Sequence, residues 1–131
     1  MSEVTLDASA LLAVFNGEPG SERVAAFLTG GECTMSTVNL SEVVTKLVER
    51  GVTLDEAQRA ITAARLTFHP FDEAAAFEAA SLRMLTRPAG LSFGDRACVA
   101  LAARLGAVVV TTDRSWVTAG LPVEVILARP A

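Results

Sequence analysis

Ala107-Val108-Val109-Val110-Thr111-Thr112-Asp113 is a run of apolar and β-branched residues that ends on an acid. An unbroken run of this kind, without polar alternation, fits a strand covered on both faces, as in a parallel sheet. Val4-Thr5-Leu6-Asp7 repeats the arrangement near the start of the chain, and Ala8 to Phe15 follows it with helical spacing until Asn16-Gly17-Glu18-Pro19-Gly20 breaks the pattern. The order is strand, acid, helix, and it sets the expectation for the rest.

Outward from these two runs, helices and strands alternate. Ser21 is read as the cap of a helix that carries Val24, Phe27 and Leu28 and stops at Gly30-Gly31. Cys33 to Ser36 reads as a strand. Leu40, Val43, Val44, Leu47 and Val48 recur at three and four, predicting an amphipathic helix that starts at Thr37 or Asn39 and ends at Gly51. Thr53 caps the next helix, to about Arg65, and Leu66 to Phe68 forms a short strand. Asp72 and Glu73 open an Ala-rich helix that stops near Arg87-Pro88. Ser92 begins another, to Leu105; Trp116 sits in a short turn or helix, and Val123 to Leu127 is the last strand. The expected fold is therefore α/β, a single domain over residues 1–131, with a mostly parallel sheet and helices on both faces.

Composition narrows the function classes. At 131 residues the chain has the usual length of one domain with its own core. A formal charge of -4 excludes holding nucleic acid by bulk electrostatics, so any attraction to phosphate must be local. Arg83, Arg87, Arg96 and Arg114 lie near the later acidic motifs, and a guanidinium fork suits phosphate, although a solvated helix face is the better account of any one of them taken singly. Cys33 and Cys98 form no C-x-x-C and have no histidine nearby, which leaves buried free thiols rather than a zinc or redox motif. MSEVTLD has no basic or apolar leader character, and the apolar tract Ala97 to Val110, broken by Arg104 and Gly106, is too short for a bilayer. A cytoplasmic protein without membrane contact is expected.

The acids carry the chemistry. Asp7 and Asp113 fall at carboxyl ends of strands, where open parallel sheets bind ligands. Glu42 and Asp95 fall in the first turn or two of their helices. Each acid also has a plain structural reading: Asp7 and Asp113 as caps, Ser92-Phe93-Gly94-Asp95 and Asn39-Leu40-Ser41-Glu42 as capping boxes. Capping does not explain why Asp7 and Asp113 are embedded in apolar runs. Two carboxylates about 4 Å apart repel by roughly 4 kcal/mol at an effective dielectric near 20, so a cluster either raises its own pKa values or recruits a cation. Oxygen-only donors select Mg²⁺ or Mn²⁺, which suit phosphoester cleavage.

Asp7-Ala8-Ser9-Ala10-Leu11-Leu12, Asn39-Leu40-Ser41-Glu42-Val43, Leu91-Ser92-Phe93-Gly94-Asp95-Arg96-Ala97 and Val110-Thr111-Thr112-Asp113 together resemble the motifs of PIN-domain ribonucleases, particularly VapC-type toxins of type II toxin-antitoxin systems. The resemblance spans nearly the whole chain and implies a PIN-like three-layer sandwich. It also implies Mg/Mn-dependent endoribonuclease activity leaving a 5′-phosphate, an RNA substrate such as transfer RNA, a VapB-type antitoxin partner, and a homodimer that enters a higher complex with the antitoxin. Carried over by position, Asp7, Glu42, Asp95 and Asp113 are the catalytic acids, with Asp7 and Asp95 on the metal and Asp113 acting directly or through water. Ser9 and Thr111 support the cluster, and Arg96 and Arg114 are the candidate phosphate contacts. Arg114, Ser115 and Trp116 stand where some relatives carry another acid, which favours one metal over two.

Two rivals remain. A catalytically silent PIN-fold interaction module would use all four acids as caps, and a phospho-accepting receiver-like domain would need a lysine at the acidic edge, where Lys46 is the only candidate in the chain. Apolar stripes at Phe15, Phe27 and Leu28, or at Val43, Val44, Leu47 and Val48, pack in the core or form a partner's groove. His69 is distant from every acidic motif and is set aside as a base.

Overall fold

The computed structural model describes Glu3 to Arg129; Met1, Ser2, Pro130 and Ala131, and with them the ends of the expected domain and of the leader reading, lie outside the described residues. Among the described residues five parallel strands form one sheet: β1 (Val4–Leu6), β2 (Cys33–Ser36), β3 (Thr67–His69), β4 (Val108–Thr111) and β5 (Val125–Leu127). The α-helices that connect them in the described residues are α1 (Ala8–Asn16), α2 (Ser21–Gly30), α3 (Thr37–Glu49), α4 (Leu54–Ala64), α5 (Glu73–Ser81), α6 (Arg83–Thr86) and α7 (Phe93–Leu105). The α/β class and the parallel sheet are as the sequence predicts.

Side chains alternate across the sheet as a pleated strand requires. Leu6, Cys33, Met35 and Val110 join one buried cluster with Ala10 and Leu11 of α1, Val24 of α2, Val43 and Leu47 of α3, and Ala57 and Ile61 of α4. Val109 joins a second cluster with Cys98, Val99 and Ala102 of α7, together with Leu91 and Trp116. Helix α7 is buried through its middle, from Ala97 to Ala102, between the sheet and α5, and its small residues Gly94, Ala97, Ala100 and Ala102 allow that close approach. Two helical layers therefore enclose the sheet.

The strand order is β3-β2-β1-β4-β5. From β1 the chain steps outward to β2 and β3, then returns across the sheet to β4 and on to β5. The direction of winding reverses between β1 and β4, and a sheet of this kind opens its ligand crevice there, beyond the carboxyl ends of the strands. Asp7 directly follows β1, and Asp113 lies two residues beyond the end of β4.

Three local readings are corrected. Ser21 does not cap α2: Gly20 holds the N-cap position at φ 96°, and a Cβ there would press on the Ala128 carbonyl, so only glycine fits and Ser21 becomes the first helical residue. The Ala-rich helix does not run on to Arg87 but breaks at Leu82. Hydroxyls of Ser81 and Thr86 donate to the carbonyls of Glu78 and Leu82, competing with the helical ladder on both sides of the break. The capping box expected at Asn39–Glu42 is absent, because Ser36 at the end of β2 already caps α3, accepting from the Val38 amide. Asn39 is consequently inside the helix.

Candidate active site at the sheet's switch point

Asp7 is 3% exposed, although it is an acid at the end of a strand. Its carboxylate is met by a saturated set of donors. Oδ1 accepts from the Ala10 amide at 2.9 Å, the Ser9 hydroxyl donates to both oxygens at 2.8 Å, and the Thr111 hydroxyl donates to Oδ2 at 2.6 Å. Those hydroxyls are themselves aimed by the backbone after β4: the Thr112 amide donates to Ser9 Oγ and the Asp113 amide to Thr111 Oγ1. Ser9 and Thr111 thus weld the start of α1 to the end of β4 through one carboxylate. Burial nevertheless pushes the Asp7 pKa up to about 6; the hydrogen bonds from Thr111, Ala10 and Ser9 oppose that rise, and the charge of Asp95 adds to it.

Asp95 reaches the same edge from α7. Ser92 and Asp95 form the capping box read from the sequence, with Asp95 Oδ2 accepting from the Ser92 amide and Ser92 Oγ accepting from the Asp95 amide. Its other oxygen accepts nothing from the described residues. Burial raises the pKa of Asp95, and the nearby charge of Asp113 raises it further against the opposing Ser92 bonds. Asp113 uses Oδ1 for the amide and hydroxyl of Ser115, capping the 3-10 turn Arg114–Trp116, and among the described residues nothing donates to its Oδ2.

Glu42 comes from the second turn of α3, and its position depends on Asn39, which the sequence reading took for a helix start and cap, and on Gly94, which it took for a capping-box spacer. Asn39, 1% exposed, donates one amide hydrogen to Glu42 Oε1 at 2.8 Å and the other to the Gly94 carbonyl at 3.0 Å. It clasps α3 to the first turn of α7. Gly94 supplies the room, since a Cβ at that position would overlap the Glu42 carboxylate. A glycine directly before an acid in a helix's first turn is the only trace of this contact in the sequence.

Electrostatics ties the acids together. The buried Cys98 thiol, one turn beyond Asp95, is pushed well above its ordinary pKa by burial first and then by the charges of Asp7, Asp95 and Glu42. Among the described residues no three His, Cys, Asp or Glu side chains make a ready metal cage. Mg²⁺ does not require one, because it keeps several waters and takes one or two carboxylates together with a substrate phosphate. The donor set fits that mode: all oxygen, with unshared oxygens on Asp95, Glu42 and Asp113 beside a desolvated Asp7.

The remaining sequence candidates fall as follows. Arg96 packs its guanidinium 5.9 Å from the Phe93 ring centroid and donates from Nη1 to the Ala79 carbonyl at 3.3 Å. Arg114 is exposed directly after Asp113. Lys46 is exposed on α3 beside Glu49, at 3.9 Å, so the lysine that a receiver-like domain needs is engaged on an open helix face. His69 ends β3 in register with Ser36. Cys33 and Cys98 are both free and buried, as expected, and among the described residues no helix is long and apolar enough to cross a membrane.

Fold and site define an α/β protein whose switch point is lined by carboxylates from four different elements. The PIN domain profile matches residues 4–120, and the chain belongs to the PIN-domain family. Solved structures that share this fold include the following three. A toxin-antitoxin complex from Klebsiella pneumoniae is 17% identical, with 98% of this chain and 100% of that chain covered and a TM-score of 0.76. VapC20 of Mycobacterium tuberculosis, a toxin that cleaves the sarcin-ricin loop, is 17% identical over 98% of this chain and 100% of its own, with a TM-score of 0.77. DNA-bound VapBC from Salmonella typhimurium is 18% identical over 96% and 98%, with a TM-score of 0.71. No curated protein matches the sequence.

Proposed function

We propose that this chain is a metal-dependent endoribonuclease, the toxin of a toxin-antitoxin pair. The observation that carries this reading is the pairing of a desolvated Asp7 with the charge of Asp95 at the sheet's switch point, where each acid raises the demand for a cation. Asp7 and Asp95 are the ligands for Mg²⁺ or Mn²⁺, with Glu42 and Asp113 beside them to orient water or to bind through it. A bound divalent ion supplies a water of lowered pKa and neutralises charge that grows on the phosphate oxygens.

The chain's own residues do the positioning. Ser9 and Thr111 hold Asp7 in one rotamer, Asn39 holds Glu42, and the Ser92 capping box holds Asp95, so little reorganisation is left for the moment of reaction. Arg114, and Arg96 on α7, are assigned to the RNA backbone. The substrate class is RNA, with transfer RNA as the first candidate to test.

The similar structures include toxin-antitoxin complexes, and the proposed partner is a VapB-type antitoxin. Val43 and Leu47 are core residues, whereas Leu40, Val44, Val48 and Leu54 line an apolar groove between α3 and α4; Phe15 and Leu28 line a second recess with Ala64. An antitoxin segment seated in either groove and sending an arginine or lysine to the acids would replace the metal's charge.

A silent interaction module has one observation in its favour: Asp7, Asp95 and Asp113 each spend an oxygen on a cap. Incubating the purified chain with total RNA, with and without chelator, separates the two. The nuclease reading expects fragments bearing 5′-phosphates that disappear with chelator and in Asp95→Asn; RNA left intact under every metal condition would count for the silent module.

A further inference from the structure

Phe93 is 51% exposed, and it stands two residues before Asp95 in the first turn of α7. A single exposed phenylalanine ordinarily calls for no explanation. This one is mounted. The Phe71 ring meets it at 5.4 Å between centroids and 89° between planes, and the Arg96 guanidinium stands 5.9 Å from its centroid. Arg96 is itself anchored to the Ala79 carbonyl of α5, and its Nε is buried without a hydrogen-bond partner. A surface ring fixed from two sides, at the cost of an unpaired guanidinium nitrogen, pays little entropy when a flat ligand settles on it.

The position limits the ligand. Phe93 belongs to the Ser92–Asp95 capping box, so its backbone moves with the carboxylate that it flanks. A strand whose phosphate lies at the acids must carry a base across the adjoining surface. Aromatic and guanidinium planes are the usual platforms for unstacked bases, and they are sequence-tolerant because every base has a π face. The chain has six phenylalanines, one tryptophan and no tyrosine, and among these the exposed ring adjoining the acids is Phe93.

We propose that Phe93, supported by Phe71 and Arg96, is a stacking platform for one unpaired nucleobase next to the scissile phosphate, which makes single-stranded RNA or a loop the preferred substrate over a duplex. This rests on the nuclease reading above. Phe93 is a binding and positioning residue, and it takes no part in the chemistry.

The test uses Asp95→Asn as the parent, so that RNA is not consumed, and a short RNA with 2-aminopurine at successive positions, single-stranded or annealed to its complement. The parent should bind the single strand with quenching of 2-aminopurine at one position. Adding Phe93→Ala should weaken that binding about 5- to 100-fold and abolish the quench. Phe93→Tyr should keep both. Phe93→Leu, which is apolar without a π face, should lose the quench, and duplex binding should be unaffected by any of the three. Equal affinity and quench for the parent and Phe93→Ala, with folding verified by circular dichroism, would overturn the platform alone. A parent that binds no RNA, alongside a wild type that cuts none, would overturn the nuclease reading and the platform with it.

Discussion

The acidic edge is built in two regions that hold their carboxylates in opposite ways. In the seam between β1 and β4, Asp7 is buried and saturated with donors: one backbone amide and two hydroxyls that are fixed in turn by backbone amides. On the shelf formed by the second turn of α3 and the first turn of α7, Glu42 and Asp95 are half-buried, each with one oxygen committed to a single anchor. The seam fixes a charge in place at the cost of desolvation, and the shelf keeps one oxygen of each acid uncommitted. A site that must be rigid before it binds a hard cation divides the work in this way, because ligand geometry comes from the buried side and open coordination from the exposed side.

The sharpest way to break the comparison is to remove one charge from each region. Asp7→Asn and Asp95→Asn are both expected to lower RNA cleavage about 1,000-fold or more, since several kcal/mol of transition-state stabilisation leaves with the ion. Initial rates on labelled RNA measure this. Retained activity in Asp95→Asn would leave the shelf with a capping role only.

Acidity separates the regions next. An acid whose pKa stands at about 6 in the folded state, against an ordinary 3.8, contributes stability that is fully present below 3.8 and is lost as pH rises through 6. Urea unfolding in chelator should therefore show the metal-free protein gaining stability as pH falls from 7 towards 4, by an amount on the order of 3 kcal/mol from Asp7. The upward shift of Asp95 acts in the same direction. Asp7→Asn should flatten most of the profile, and an unchanged slope would show that the seam does not carry the strained charge.

Smaller effects probe the shelf. Asn39→Ala deletes two hydrogen bonds, a part-buried one to the Glu42 carboxylate and a buried one to the Gly94 carbonyl, a loss of about 1 to 3 kcal/mol in denaturant unfolding. Gly94→Ala is the subtlest case. Its methyl displaces the end of the Glu42 side chain, while the helix gains roughly 0.5 to 1 kcal/mol from replacing glycine. Cleavage should fall with the melting temperature nearly unchanged, and in a Glu42→Ala background the same substitution should be stabilising. If it destabilises that background, the clash lies elsewhere.

Much of the seam was legible in the sequence, because both of its strands are continuous apolar runs that terminate in an acid, and chain direction alone places Asp7 and Asp113 at one edge. Asp95 was legible through its capping box. Asn39 was not: Ser36, Thr37 and Asn39 are all plausible helix starters, and local chemistry cannot say that the strand's own last serine takes the cap and turns Asn39 inward. The contact between Gly94 and Glu42 joins residues more than fifty positions apart, so it exists only once α3 and α7 are packed. The break at Leu82 was hidden because an Ala-rich stretch gives no warning that hydroxyls will capture its carbonyls. The mounting of Phe93 likewise depends on Phe71, from the loop between β3 and α5.

Titration with Mn²⁺, followed by the loss of its free-ion electron paramagnetic resonance signal, asks most directly whether this edge is a cation site. The account predicts one ion held per chain by the wild type and none by a folded Asp95→Asn variant. A free-ion signal that stays at full strength as wild-type protein is added would contradict it.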